Sequence, residues 1–215
     1  DGSSNIDVNV TVGSIFSIYR HRPSDRGRLE DLFRPGHEQV AAGYVMYGAS
    51  TQLVLCTELS NVNVFTLHDG VGEFFLTHRN LRMPDVGKTY SVNESRAPHW
   101  TEATRRAISR FQNDEVEGKK RSARYVGSLI ADFHRTLLKG GVFMYPGEVE
   151  KPNGKLRLLY EAAPLAFVAE RAGGHAYDGR RRILDRVATD PPEPTPLSIG
   201  SKVDGADLRQ TLSQA

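Results

Sequence analysis

Cysteine is almost absent: Cys56 is the one thiol in 215 residues, so no disulfide can form within the chain. That excludes a disulfide-stapled fold and points to a reducing compartment, the cytoplasm. No apolar run approaches the roughly 18 residues that a membrane-crossing helix needs, so a membrane partner is not expected. An excess of charge of one sign is lacking too. The 28 basic and 26 acidic residues leave a formal +2, too balanced for nucleic acid or an anionic membrane as partner. Any anion binding must then come from local geometry. Internal repeats and low-complexity tracts are also missing. What is present is 39% hydrophobic residues, enough to bury a real core in one large domain or two smaller ones. The chain begins at Asp1, with no Met and no signal-like segment, and is expected to be cut or trimmed.

Two regions differ in pattern. Ile6, Val8, Val10 and Val12 alternate with polar residues at the period of a half-buried strand, which is expected to continue through Ile15 to Tyr19. After a loop rich in Arg, Pro and Gly, Val40 to Tyr47 and Thr51 to Thr57 read as strands around Gly48-Ala49-Ser50. Val62 to Leu67 and Glu73 to Thr77 flank His68-Asp69-Gly70, where the Asp-Gly step suits a positive-φ turn. Residues 1–84 are therefore expected to be mostly antiparallel sheet.

Past Pro84 helical spacing appears. Thr101 can cap a helix with Ala107, Ile108 and Phe111 on one face, and Ser128 a second carrying Leu129, Ile130, Phe133, Leu137 and Leu138, ended by Gly140-Gly141. Val142 to Tyr145 reads as a buried strand and Lys155 to Tyr160 as another. Pro164 suits the first turn of a helix reaching Gly173-Gly174. The expected class is mixed α/β (α+β): an antiparallel part, 1–84, followed by an α/β layered part, 85–215.

Three clusters can carry chemistry. Asp1-Gly2-Ser3-Ser4 sets a carboxylate beside a turn whose N–H groups can hold an oxyanion, although the same string fits an ordinary turn. Lys155 and Arg157 share a strand face, with Glu161 in the same parity, which suits a phosphate beside a metal and equally a solvated ion pair. Arg124-Tyr125 precede the Ser128 helix N-terminus, where a second phosphate can dock; a packed aromatic and a plain cap fit as well.

Taken in order, the strings DGSSNIDVNVTVGSIFSIYR, QVAAGYVMYG, GKTYSVNE, ARYVGSLIADFHRTLLKGG and NGKLRLLYEAAPLAFVAERAGG resemble the bacterial branch of the fructose-1,6-bisphosphatases. The likeness covers Asp1 to Gly174 and continues more loosely to Gly200-Ser201. It implies the C-terminal two-thirds of a magnesium-dependent phosphatase, manganese being an alternative metal, that removes the 1-phosphate of fructose 1,6-bisphosphate. Asp1 and Glu161 match metal ligands. Gly2, Ser3, Ser4, Lys155 and Arg157 match groups around the sugar and the departing phosphate. Asn93, Tyr125 and Tyr145 match the pocket of the retained 6-phosphate, with Phe143 and Met144 on the same segment. Arg124 matches an arginine that enters a neighbouring subunit's site, which implies a homo-oligomer, usually a tetramer. A sedoheptulose-1,7-bisphosphatase and a non-catalytic sugar-phosphate-binding subunit are the alternatives.

One departure stands out. After Asn93-Glu94 the family often has Gly and then a phosphate-touching Tyr, whereas this chain reads Ser95-Arg96-Ala97-Pro98-His99-Trp100. Arg96 could supply a cation in place of that contact, or face solvent. Leu129 stands where some relatives have Met, a volume-conserving change. The resemblance also puts the water-activating base and the remaining acidic ligands before Asp1, so no catalytic base is assigned in this chain and little activity is expected of it alone.

Overall fold

The computed structural model describes residues 3–213, which form a mixed α/β protein on two five-stranded sheets. The first sheet is an antiparallel meander of β1 (Val12–Tyr19), β2 (Gln39–Tyr47), β3 (Thr51–Thr57), β4 (Val62–His68) and β5 (Glu73–Leu81). Period-two alternation puts Ala42, Tyr44, Val54, Cys56, Val62 and Val64 on one fully buried face.

Two expectations for this region change. The strand predicted from Ile6 forms only from Val12, because Val12 already pairs with Tyr47, the last residue of β2. Residues 6–10 run past the end of that partner. Asn9 takes a left-handed φ of 55°, and Ile6 and Val8 stay exposed. In the β4–β5 connection, the positive φ falls on Gly72 (φ 76°) rather than on Gly70. The loop has four residues, closed by Gly72 N–H donating to His68 O at 2.8 Å, so its left-handed position is the last one.

The chain continues through β6 (Thr89–Ser91), α1 (Glu102–Asn113), a small hairpin of β7 (Glu115–Val116) and β8 (Lys119–Lys120), β9 (Ser122–Ala123), α2 (Leu129–Lys139) and β10 (Val142–Tyr145). It ends with β11 (Leu156–Arg157), α3 (Ala163–Arg171), β12 (His175–Tyr177), β13 (Pro194–Thr195), β14 (Leu197–Gly200) and α4 (Lys202–Ser213). The second sheet has the order β12-β14-β10-β6-β9, with β9, β6 and β10 mutually parallel and the others antiparallel.

Thr101 caps α1 as expected, accepting Thr104 N–H at 3.2 Å, while Ala107, Ile108 and Phe111 are buried. Gly140 (φ 71°) and Gly141 (φ 95°) end α2. Ser128 precedes α2 but makes no side-chain cap, and its hydroxyl is buried without a partner. Asp132, one turn inside the helix, instead ties down the loop ahead of it by accepting from Val126 and Gly127 N–H. The strand expected over Lys155 to Tyr160 shrinks to β11, because Leu158–Ala162 winds into a π-helical turn that runs directly into α3. Leu158, Leu159 and Ala162 are all buried, which two-fold alternation cannot achieve.

One apolar core joins the two sheets: Tyr44, Val54 and Val64 of the first pack with Ile130 and Phe133 of α2 and with Leu165, Ala166 and Val168 of α3. Inside it, the Tyr44 hydroxyl and His134 Nδ1 form a hydrogen bond of 2.7 Å, and Gln39 Nε2 donates to Ala163 O at 3.1 Å. No helix among the described residues is long and apolar enough to cross a membrane.

Candidate functional site

The three parallel strands end together. β9 pairs Ala123 with Tyr90 of β6, and β6 pairs Ser91 with Phe143 of β10. Asn93 lies two residues beyond β6, Tyr125 two beyond β9, and Tyr145 closes β10. A crevice outside the carboxyl ends of parallel strands is where open α/β sheets bind ligands. Here it is a cleft of about 530 Å³, its mouth included, onto which Asn93, Tyr125, Met144, Tyr145 and Lys155 all face.

Each side chain is held by its neighbours. Asn93 Oδ1 accepts the N–H and the hydroxyl of Ser95, at 3.2 and 2.6 Å, opening the short 3-10 turn Glu94–His99. Tyr125 sits on a loop fixed by Asp132, whose fully buried carboxylate accepts Val126 N–H at 3.0 Å, Gly127 N–H at 3.0 Å and the Ser91 hydroxyl at 3.1 Å. Arg135 closes the same knot by donating to Asp132 at 2.7 Å and to Arg124 O at 2.6 Å. Lys155 follows Gly154, whose φ is +69° and where a Cβ would come within 2.6 Å of Pro196 N. Only glycine turns the chain there.

Burial raises the pKa of both cleft tyrosines. For Tyr145 the next causes are the charges of Glu148 and Glu161, and for Tyr125 the Tyr145 hydroxyl and Asp132, with Asn93 pulling the other way. Both hydroxyls therefore keep their protons near neutrality and can donate to an anion. Two donating hydroxyls, an amide and a lysine side chain around one cleft are groups able to meet an anion.

The remaining sequence-predicted residues lie around this cleft or away from it. Met144 faces the cleft, but Phe143 points to the opposite side of β10 and is buried in the core beside the first sheet. Arg157 does not line the cleft; its guanidinium turns back to donate to Lys155 O. Glu161 Oε2 accepts Arg157 N–H at 2.6 Å, so it stands in the π-helical turn and not on a strand face, and it does not line the cleft. Arg124 is exposed, its Nη1 donating to Ala123 O at 2.9 Å. Ser3 and Ser4 belong to a short 3-10 turn that Asn5 Nδ2 ties to Gly127 O at 3.2 Å, which brings that turn beside the Tyr125 loop. Asp1 and Gly2 lie outside the described residues. Among the described residues no three His, Cys, Asp or Glu side chains converge as a metal site requires, so Glu161 by itself does not make one.

Sequence reasoning left Arg96 open and missed Glu148. Arg96 Nε donates to Glu148 Oε1 at 2.7 Å, with a second bond from Nη2 to Oε2, and both residues line the cleft. A pairing across 52 residues leaves no local trace in sequence, although the unusual Arg96 was itself a signal.

Comparison with known proteins follows the same outline. Residues 1–79 match the family model "Fructose-1-6-bisphosphatase, N-terminal domain", and residues 83–213 match "Fructose-1-6-bisphosphatase, C-terminal domain". Fructose-1,6-bisphosphatase class 1 from Nitratidesulfovibrio vulgaris (strain DP4) is 55% identical over 210 residues, covering 95% of this chain and 62% of the relative. The class 1 protein from Sorangium cellulosum (strain So ce56) is 52% identical, covering 98% of this chain and 61% of that one. The cytosolic fructose-1,6-bisphosphatase of Spinacia oleracea is 47% identical, with 97% and 60% covered. The chain thus spans about three-fifths of the length of these relatives.

Proposed function

Because the chain belongs to the fructose-1,6-bisphosphatase family, we propose that it is the sugar-phosphate-binding part of a phosphatase that hydrolyses the 1-phosphate of fructose 1,6-bisphosphate and leaves fructose 6-phosphate. The observation that carries this reading is the convergence of Asn93, Tyr125, Tyr145 and Lys155 on one cleft at the ends of three parallel strands. There the amide and the protonated hydroxyls donate to the oxygens of the retained 6-phosphate, and Lys155, matched by sequence to the sugar and the departing phosphate, lines this cleft as well and neutralises part of the charge at this end. Anchored at that end, the sugar presents its other phosphate toward the Ser3-Ser4 turn, which the Asn5 contact to Gly127 holds beside the Tyr125 loop. Fixing one end of the substrate converts binding energy into orientation of the other.

On this reading Asp1 and Glu161 are ligands of a divalent metal, magnesium with manganese as substitute, and Arg157 lies near the departing phosphate. Among the described residues no three candidate metal ligands converge. Arg124 projects into a neighbouring subunit of a homotetramer. Its exposure supports this, because no ion pair among the described residues holds it, and the exposed Phe74, Phe75 and Leu76 on edge strand β5 offer apolar surface for assembly. The buried single thiol fits a cytoplasmic protein.

Phosphate release from fructose 1,6-bisphosphate by the full-length gene product, with and without magnesium, tests the activity. Release that is absent in magnesium, or equal from unrelated monophosphates, overturns it. Replacing Lys155 with Met removes a charge-assisted contact worth about 1.5–3 kcal/mol, so fructose 6-phosphate should bind roughly ten- to a hundredfold more weakly by calorimetry. Unchanged affinity would show that Lys155 does not touch the ligand.

A further inference from the structure

One side chain in the cleft has the wrong chemistry for an anion. Asn93, Tyr125, Tyr145, Lys151 and Lys155 bring donors or positive charge, whereas Glu148 brings a carboxylate that can only accept. It is held against Arg96 fork to fork, with Nε to Oε1 at 2.7 Å and Nη2 on Oε2, and its side chain is 15% exposed against 39% for Arg96. Arg96 Nη1 has no partner among the described residues, so the pair leaves the rest of that guanidinium open to the cleft.

The backbone around the pair is pinned independently of it. Trp100 and Glu148 form an antiparallel bridge, Val149 N–H donates to His99 O at 2.9 Å, and Glu148 N–H donates to Lys151 O at 3.0 Å. The side-chain pair can therefore open without the cleft wall moving. A phosphate dianion and a carboxylate both match the guanidinium fork, so they compete for it.

Resting on the reading of this cleft as a sugar-phosphate site, we propose that Glu148 is a built-in competitor for Arg96: bound phosphate takes the guanidinium from Glu148, and this exchange sets how tightly the cleft holds a phosphate group. Arg96 is then a specificity-determining residue that rewards a dianionic ligand end, and Glu148 keeps its affinity low enough for a phosphorylated product to leave.

Competition and mere positioning predict opposite signs. In Glu148→Gln, which keeps the size of the side chain and removes its charge, inorganic phosphate and fructose 6-phosphate are expected to bind about tenfold tighter by calorimetry. In Arg96→Ala both are expected to bind about tenfold weaker. If Glu148 instead holds Arg96 in place for the ligand, Glu148→Gln weakens binding, and if the pair is only structural, neither ligand moves by more than twofold; either result overturns the proposal. Should Glu148→Gln fail to fold, Glu148→Asp, which shortens the reach to Arg96, must also tighten binding, and weaker or unchanged binding overturns the proposal. Phosphate that binds and tightens in Glu148→Gln without any hydrolysis by the full-length protein would sink the functional reading alone. Active protein whose phosphate affinity ignores Glu148→Gln would sink this inference alone.

Discussion

Replacing Asp132 with alanine is expected to destabilise the protein by about 1–3 kcal/mol, because it removes one buried acceptor that serves the Ser91 hydroxyl, two loop N–H groups and Arg135. The side chain is fully buried and accepts from Val126 N–H, Gly127 N–H, the Ser91 hydroxyl and Arg135. The buried Ser91 hydroxyl would lose its partner, whereas water can reach the N–H groups of the exposed Val126 and Gly127, and Arg135 keeps its bond to Arg124 O. The same knot fixes the loop that presents Tyr125, so fructose 6-phosphate affinity should fall at least tenfold under conditions where the variant remains folded. Asp132→Asn retains one acceptor oxygen and should fall between wild type and alanine. Ser128→Ala is the contrast: its hydroxyl is buried without a partner, so removing it should be neutral or slightly stabilising. Urea unfolding reads all three. A loss below about 1 kcal/mol in Asp132→Ala would mean that the loop is held by something else.

The second large effect is on acid stability. Burial, and after it the charge of His78, lowers the pKa of His134 from 6.5 to about 4. In the unfolded chain the imidazole takes its proton as pH falls through about 6.5, whereas in the folded protein it resists until about 4. Between those values the unfolded state binds more protons, so stability is full above about pH 6.5 and is lost progressively down to about pH 4. At about 1.4 kcal/mol per pH unit the total is on the order of 3 kcal/mol. Buried and neutral, the ring pairs through Nδ1 with the Tyr44 hydroxyl at 2.7 Å. Glutamine at 134 supplies an acceptor that does not titrate. His134→Gln should therefore be less stable at pH 7 but lose less on going to pH 4.5, measured as the difference in urea midpoint. Equal acid losses in the two proteins would assign the effect to other groups.

Much of this architecture was legible in advance because its signals are local. Strand alternation in Gln39–Tyr47 and Thr51–Thr57, the Thr101 cap and the Gly140-Gly141 stop each act within a few residues, and each appears where the pattern puts it. The misreadings have equally specific reasons. Residues 6–10 alternate like a strand, but pairing depends on where the partner ends, and β2 ends at Tyr47. Lys155 to Tyr160 alternates as well, yet the chain turns helical at Leu158, because burial of Leu158, Leu159 and Ala162 against the core outweighs the period-two pattern. Ser128 has the right type and position for a cap, but its hydroxyl is buried and makes no cap bond, while Asp132 holds the loop ahead of the helix.

The site divides in the same way. Sequence by itself determined the family and the residue types on offer, because the matching strings carry Asn93, Tyr125 and Lys155, and Tyr145 lies between two of them. Tertiary structure decided which of them meet: the parallel register of β9, β6 and β10 brings the three strand ends to one cleft, sends Phe143 into the core and turns Arg157 aside. It also decided that Arg96 is answered by Glu148, since a contact between segments 52 residues apart depends on how β6 and β10 lie side by side. Local chemistry is written along the chain, whereas competition between charges exists only once folding has brought them within reach.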